Sequence, residues 1–169
     1  MRILLALAVV VGALTACSTT SPSAAPASSA PASPIPTFAD VSRGDSKSVV
    51  KLISFDPQAR SAVAEPTIFM QGPDFCEAFQ LPASDPRCER DWSTEDSNTR
   101  VTVPIAADAE LFTIHGGDPE CFSGDSLVVG TCELTPAKFA TLSQESGEML
   151  VQLTVVDGTA RKIAEVYTP

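Results

Sequence analysis

Positive charge, imidazole and large polar aromatics are all scarce in this 169-residue chain, which has one His, one Trp, one Tyr and 11 basic residues against 21 acidic ones. The shortage of Lys and Arg gives a net charge of −10, which repels phosphate backbones and anionic lipid headgroups and excludes nucleic acid as a partner. With His115 as the sole imidazole, any hydroxyl nucleophile has one neutral-pH base to draw on. No internal repeat is visible. The apolar run Ile3 to Leu14 is 12 residues long, the length of a signal-peptide core, whereas a membrane helix needs about 20.

That run follows Met1 and Arg2 and leads into Leu14, Thr15, Ala16 and Cys17. The tetrad resembles the lipobox of bacterial lipoproteins, in which a small residue precedes the lipidated cysteine. The resemblance implies that residues 1–16 are a signal peptide and that cleavage falls between Ala16 and Cys17. It further implies that Cys17 carries a diacylglyceryl thioether, which anchors the chain to the extracytoplasmic face of the cell membrane. Two or more acyl chains hold stably where one is marginal. An ordinary secretory signal with an incidental Cys is the alternative. A mature chain without Arg2 has 10 basic and 21 acidic groups, a net −11.

Residues 17–37 then form a tether. Ser18 to Pro36 contains only Ser, Thr, Ala, Pro and one Ile, so it cannot bury enough apolar surface to order itself. In a polyproline-like form it reaches on the order of 60 Å from the membrane. The remaining residues, 38–169, are about 130 in number, enough for one domain and too few for two.

Within that domain, short β-branched segments punctuated by turn residues predict a mainly β fold, a small antiparallel barrel or sandwich. Ser48 to Phe55 reads as a strand, Asp56-Pro57 as a turn, and Ser61 to Met70 as the return, with Pro66 marking an edge or a bulge. Thr99 to Ile105, Glu110 to Ile114 and Ser126 to Val129 are further strands. Met149 to Val156 alternates, Asp157-Gly158 offers a two-residue turn, and Thr159 to Tyr167 returns. One late helix is expected from Thr135 as cap and Pro136 at its first position, with Phe139 and Leu142 on one side and Gly147 ending it. A shorter helical turn is expected near Pro73 to Phe79.

Residues 48–169 also resemble a group of exported proteins and lipoproteins common in actinobacteria. The matching residues are Asp91-Trp92, Asn98, Arg100, Val103-Pro104-Ile105, Asp108-Ala109, the Asp157-Gly158 hairpin and the closing Ile163 to Pro169 segment. The resemblance implies an exported β domain and assigns no reaction.

Cys76, Cys88, Cys121 and Cys132 are an even set in a chain bound for an oxidising compartment. Three pairings exist; proximity favours Cys76 with Cys88 and Cys121 with Cys132. A four-thiolate zinc site is disfavoured because the spacings of 12, 33 and 11 lack close Cys-x-x-Cys knuckles. No metal or cofactor is therefore expected. Gly124-Asp125-Ser126-Leu127 spells the string of a large esterase group, with Ser126 as nucleophile and His115 as base. In that group the His follows the Ser near the end of the fold, and here none follows. Arg43-Gly44-Asp45 spells an integrin-recognition tripeptide. The acidic run Asp118, Glu120, Asp125 lacks the spacing of a calcium loop. Asp91-Trp92 offers either a ligand platform or a core contact. The sequence thus points to a non-catalytic domain that binds a small ligand or an envelope protein, with a Ser126–His115 hydrolase or a purely structural envelope component as alternatives.

Overall fold

The computed structural model describes residues 35–168; the leader, Cys17 and most of the tether lie outside them. In chain order the elements are β1 (Ser46–Asp56), β2 (Ser61–Met70), α1 (Gly72–Ala78), β3 (Ser93–Asp96), β4 (Val101–Thr113), β5 (Phe122–Ser123), β6 (Val129–Gly130), β7 (Cys132–Glu133), α2 (Pro136–Ser146), β8 (Met149–Val156) and β9 (Thr159–Glu165). The fold is mainly β, with a late helix and two disulfides, Cys76–Cys88 and Cys121–Cys132.

Strands run in the order β3-β2-β1-β8-β9-β4-β7, and β2 also pairs with β4, so β1, β2, β4, β9 and β8 close on themselves. All pairs in this barrel are antiparallel except β4 with β9, which is parallel. A parallel pair needs a long crossover, and the chain between these strands supplies it through α2 and β8. Five strands in this order, with a helix between the third and fourth, have the connectivity of the OB-type Greek-key barrel. Connectivity of this kind says nothing about what is bound.

Closure of so few strands leaves a narrow interior, and small residues make it fit. Ala62, Ala64 and Ala160 face inward beside Val50, Leu52, Val103, Val151, Leu153 and Ile163, all at most 2 % exposed. Each large apolar side chain there contributes about 1.5–3 kcal/mol relative to exposure. The alternation is broken twice by bulges that turn the strands. Ile53 is the extra residue between the Leu52 and Ser54 pairings of β1, and Arg161 is skipped between the Lys162 and Ala160 pairings of β9. The second bulge lets Ala160 and Ile163, three apart, both point inward.

Pro66 marks neither a bulge nor a free edge. One side of β2 is bonded to β4 through residues 61–64 and to β3 through residues 67–70, and Pro66 falls in the gap between them. The two segments expected at residues 99–105 and 110–114 are one strand, β4; its pairing with β9 is interrupted between Ile105 and Glu110, where Ala106 to Ala109 are skipped. Of the strand expected from Ser126, only Val129 and Gly130 pair.

Helix α2 is capped by Thr135, whose Oγ1 accepts the Lys138 N–H at 3.4 Å, and it ends at Gly147 with φ 70°. Phe139, fully buried, meets Phe55 edge-on at 5.1 Å, so the helix lies over the barrel end at which β1 finishes.

Candidate functional site

Two excursions from the barrel carry the remaining chemistry. The first joins β2 to β3. Its α1 buries Phe75 completely and stacks it on Phe79 at 4.4 Å. The Cys76–Cys88 disulfide ties this helix to a short turn of 3₁₀ helix, Pro86–Glu89. Asp85 caps that turn through the Arg87 N–H and grips the Arg87 guanidinium with both oxygens at 3.0 and 2.9 Å. Those bonds hold the Asp85 carboxyl down to about 2. Gly72 allows the turn to approach: a Cβ there would sit 2.5 Å from the Arg87 carbonyl oxygen, and the Gly72 N–H donates to the Arg90 carbonyl at 3.2 Å. Trp92 emerges from this scaffold half-buried, its ring stacked on Phe69 at 5.8 Å.

Trp92 forms one wall of a cleft of about 390 Å³ whose other walls come from β1, β3, β8 and the end of β9. Its polar residues are Lys51, Thr94, Ser146, Glu148, Glu165 and Thr168. A ligand pocket of ordinary size begins at about 300 Å³. The Lys51 Nζ donates to Asp96 at 2.5 Å and lies 3.6 Å from Glu148. The Asp96 bond raises the Lys51 pKa above that of a free lysine. Asp96 is fixed in turn by the Thr67 hydroxyl at 3.1 Å. Behind it, buried Glu65 accepts the Asn98 N–H at 2.8 Å and so secures the loop leading into β4. Glu165, which borders the cleft at the end of β9, directs its carboxylate towards the end of β4: its Oε2 accepts the Thr113 hydroxyl at 2.7 Å and the Ile114 N–H at 3.1 Å. Both bonds fall on the same oxygen, leaving Oε1 unengaged by either. The cation of this cleft is thus neutralised, while Glu148 is 58 % exposed along its side chain.

Compared with known families, curated proteins and solved structures, the chain matches none. The site is accordingly defined by its own geometry.

The second excursion, between β4 and α2, holds the residues singled out for hydrolase chemistry. His115 is exposed with φ 47°, and its backbone N–H, not its ring, is bonded, to the Thr113 hydroxyl at 3.0 Å. Ser126 is exposed and lines a different cleft with Phe69, Met70, Gln71, Asp74 and Leu127; His115 is absent from that lining. Among the described residues no hydrogen bond joins the two side chains. Asp118 caps a short turn by accepting the Glu120 N–H at 3.0 Å. Among the described residues no group of three or more His, Cys, Asp or Glu is placed to hold a metal ion. The Arg43-Gly44-Asp45 segment packs on the Asp157-Gly158 turn: the Gly44 carbonyl accepts the Gly158 N–H and Asp45 accepts the Asp157 N–H, each at 2.9 Å.

Sequence reasoning left Asp91-Trp92 as a ligand platform or a core contact; in the structure the half-buried ring rests on Phe69 and walls the cleft. It missed Lys51, Asp96, Glu148 and Glu165. The only local signal was the alternation that puts Lys51 between inward-facing Val50 and Leu52.

Proposed function

We propose that this chain is a lipid-anchored cell-envelope protein, held at the extracytoplasmic face through Cys17, whose β domain acts by binding and not by catalysis. The Trp92 cleft is the observation that carries the binding half of this proposal. An aromatic wall is set there among ionisable groups already committed to bonds that hold the walls together. Lys51 is tied to Asp96, and Glu165 to Thr113 and Ile114, so neither is poised to exchange protons with a substrate. The anchor half rests on the Leu14 to Cys17 motif after a short apolar run. Kinship with exported actinobacterial proteins belongs to the same proposal. It rests on the matching residues Asp91-Trp92, Asn98, Arg100 and Val103-Pro104-Ile105.

Two measurements test the halves separately. Cys17→Ser protein should leave the membrane fraction under a carbonate wash; retention there overturns the anchor. Native mass spectrometry of the full-length protein, extracted in gentle detergent, should reveal a bound mass that Trp92→Ala removes. A bare protein, or a bound mass indifferent to Trp92→Ala, overturns the cleft as the binding site.

A further inference from the structure

We infer that the Trp92 cleft takes an organic cation, a guanidinium or alkylammonium group lodged between the indole and the Glu148 carboxylate. This rests on the proposal that the cleft binds a ligand, and it names the ligand's chemical class.

The charge balance of the walls carries it. Lys51 is the cleft's cation, and it feels three carboxylates: Asp96 at 2.5 Å, Glu148 at 3.6 Å and, behind Asp96, buried Glu65. Asp96 satisfies Lys51. Glu148 is the more distant partner and mostly open to solvent, and Glu65 is engaged by the Asn98 N–H. The local field therefore remains negative after Lys51 has been neutralised, and the domain as a whole reinforces it with its excess of acidic groups. An anionic ligand would have to displace Lys51 from Asp96 and approach two further carboxylates. A cation meets no such opposition.

The aromatic wall points the same way. An indole is the side chain that attracts a cation most strongly over its face, and the attraction grows as the site is desolvated. Phe69 backs the Trp92 ring, and the stapled turn from Pro86 to Glu89 fixes the backbone just before it. The wall is therefore set before the ligand arrives. Thr94 and Thr168 add hydroxyls to the lining, suited to accepting the ligand's N–H groups alongside the Glu148 carboxylate. Pairing an aromatic face with carboxylates favours a delocalised or alkylated cation over a small, strongly hydrated metal ion, which gains little from an indole.

The chain's single Trp is the one in the cleft, so intrinsic fluorescence of the full-length protein in detergent reports on this site without a label. The probes are agmatine, tetramethylammonium, an acetylated and amidated Ala-Arg-Ala tripeptide, and a neutral disaccharide, all at fixed ionic strength. The three cations should each shift the emission saturably, and the disaccharide should not. Glu148→Gln should weaken the cation response about threefold, as expected of a partly exposed charge pair. Position 148 lies near the surface, so this variant retains the fold. Asp125→Asn, in the other excursion, should leave the response unchanged. A tripeptide that binds more tightly than agmatine identifies a protein's basic side chain as the source of the cation; the reverse order identifies a free amine. A response to the disaccharide alone overturns the cation class and leaves the binding proposal standing. Silence towards all four probes, or a cation response undiminished in Glu148→Gln, overturns the inference, while the co-purifying mass independently decides the proposal beneath it.

Discussion

The two disulfide-stapled excursions use the same device to different ends. Their cysteines are separated by 12 and 11 residues, and each excursion contains a glycine whose Cβ would press into backbone, Gly72 against Arg87 and Gly130 against Thr113. Beyond that they diverge. The first is filled by Phe75, stacked on Phe79 and lying 5.5 Å beneath the Arg87 guanidinium, and it delivers Trp92 to the cleft. The second is joined to the barrel through Glu165 and Thr113 and by Phe122 stacked on Tyr167 at 5.1 Å, while His115, Gly116, Gly124, Asp125 and Ser126 are exposed. A disulfide shortens the unfolded chain's wandering in both. Geometry fit for a binding wall comes from the buried ring, which only the first possesses.

Removing that ring should produce the largest effect. Phe75→Ala is expected to destabilise the domain by about 3–5 kcal/mol, as other buried Phe deletions do. Phe122→Ala, half-buried, should lose less than half as much. Urea unfolding compares them directly, and equal losses would break the contrast.

Deleting the disulfides one at a time sharpens it. Chain entropy makes the two nearly equivalent, about 3 kcal/mol each for closed loops of this size. Calorimetry should therefore find similar falls in Tm for Cys76→Ser/Cys88→Ser and Cys121→Ser/Cys132→Ser. Trp92 emission in the folded state should shift only in the first pair. An emission change in the second pair would mean that the excursions are coupled.

Next in size is a steric probe. Gly72→Ala forces backbone apart and is expected to destabilise by about 1–3 kcal/mol while disturbing Trp92. At Gly116 a Cβ meets nothing within 4 Å, so Gly116→Ala bears only the penalty of its φ of +67°, about 1 kcal/mol, with Trp92 unmoved. Paired thermal melts and emission spectra distinguish the two.

The smallest expected effect is on pH dependence. Asp85 is held down to about 2 from an ordinary carboxyl near 3.8, chiefly by the Arg87 side chain. A depressed carboxyl contributes stability above its unfolded pKa and loses it as pH falls towards the folded value. Asp85→Asn should thus lower stability slightly at neutrality, this pair being partly exposed, and flatten the acid limb of the stability curve between about pH 4 and 2. At the basic end Lys51, raised by Asp96, contributes stability that is present at neutrality and lost as pH climbs through its folded pKa, so Asp96→Asn should lower stability at neutrality and flatten the alkaline limb.

Most local structure was legible in the sequence because its signals are local. Alternation from Met149, Asp157-Gly158 as a turn, Thr135-Pro136 as a helix start and nearest-neighbour cysteine pairing all appear where expected. Closure of the barrel was not legible, since pairing β2 with β4 leaves no mark in either strand beyond small inward residues. The skipped stretch after Ile105 likewise read as a strand end, because alternation cannot separate a gap in pairing from a terminus. The cleft was the least visible: Lys51 meets Asp96 across 45 residues, and Thr113 meets Glu165 across 52. Such pairs exist only once the barrel has formed.

The order of strands also sets when folding can finish. β9, the last strand made, lies between β8 and β4, so the sheet has a missing stave until residue 165 is present. Pairings of such long sequence separation form late and slowly, because the loop entropy is lost before the contacts repay it. A chain emerging residue by residue therefore has no closed barrel to fold into until its final segment arrives. For a protein carrying the export leader proposed here, that delay keeps the strands before β9 threadable until β9 itself has crossed to the far side.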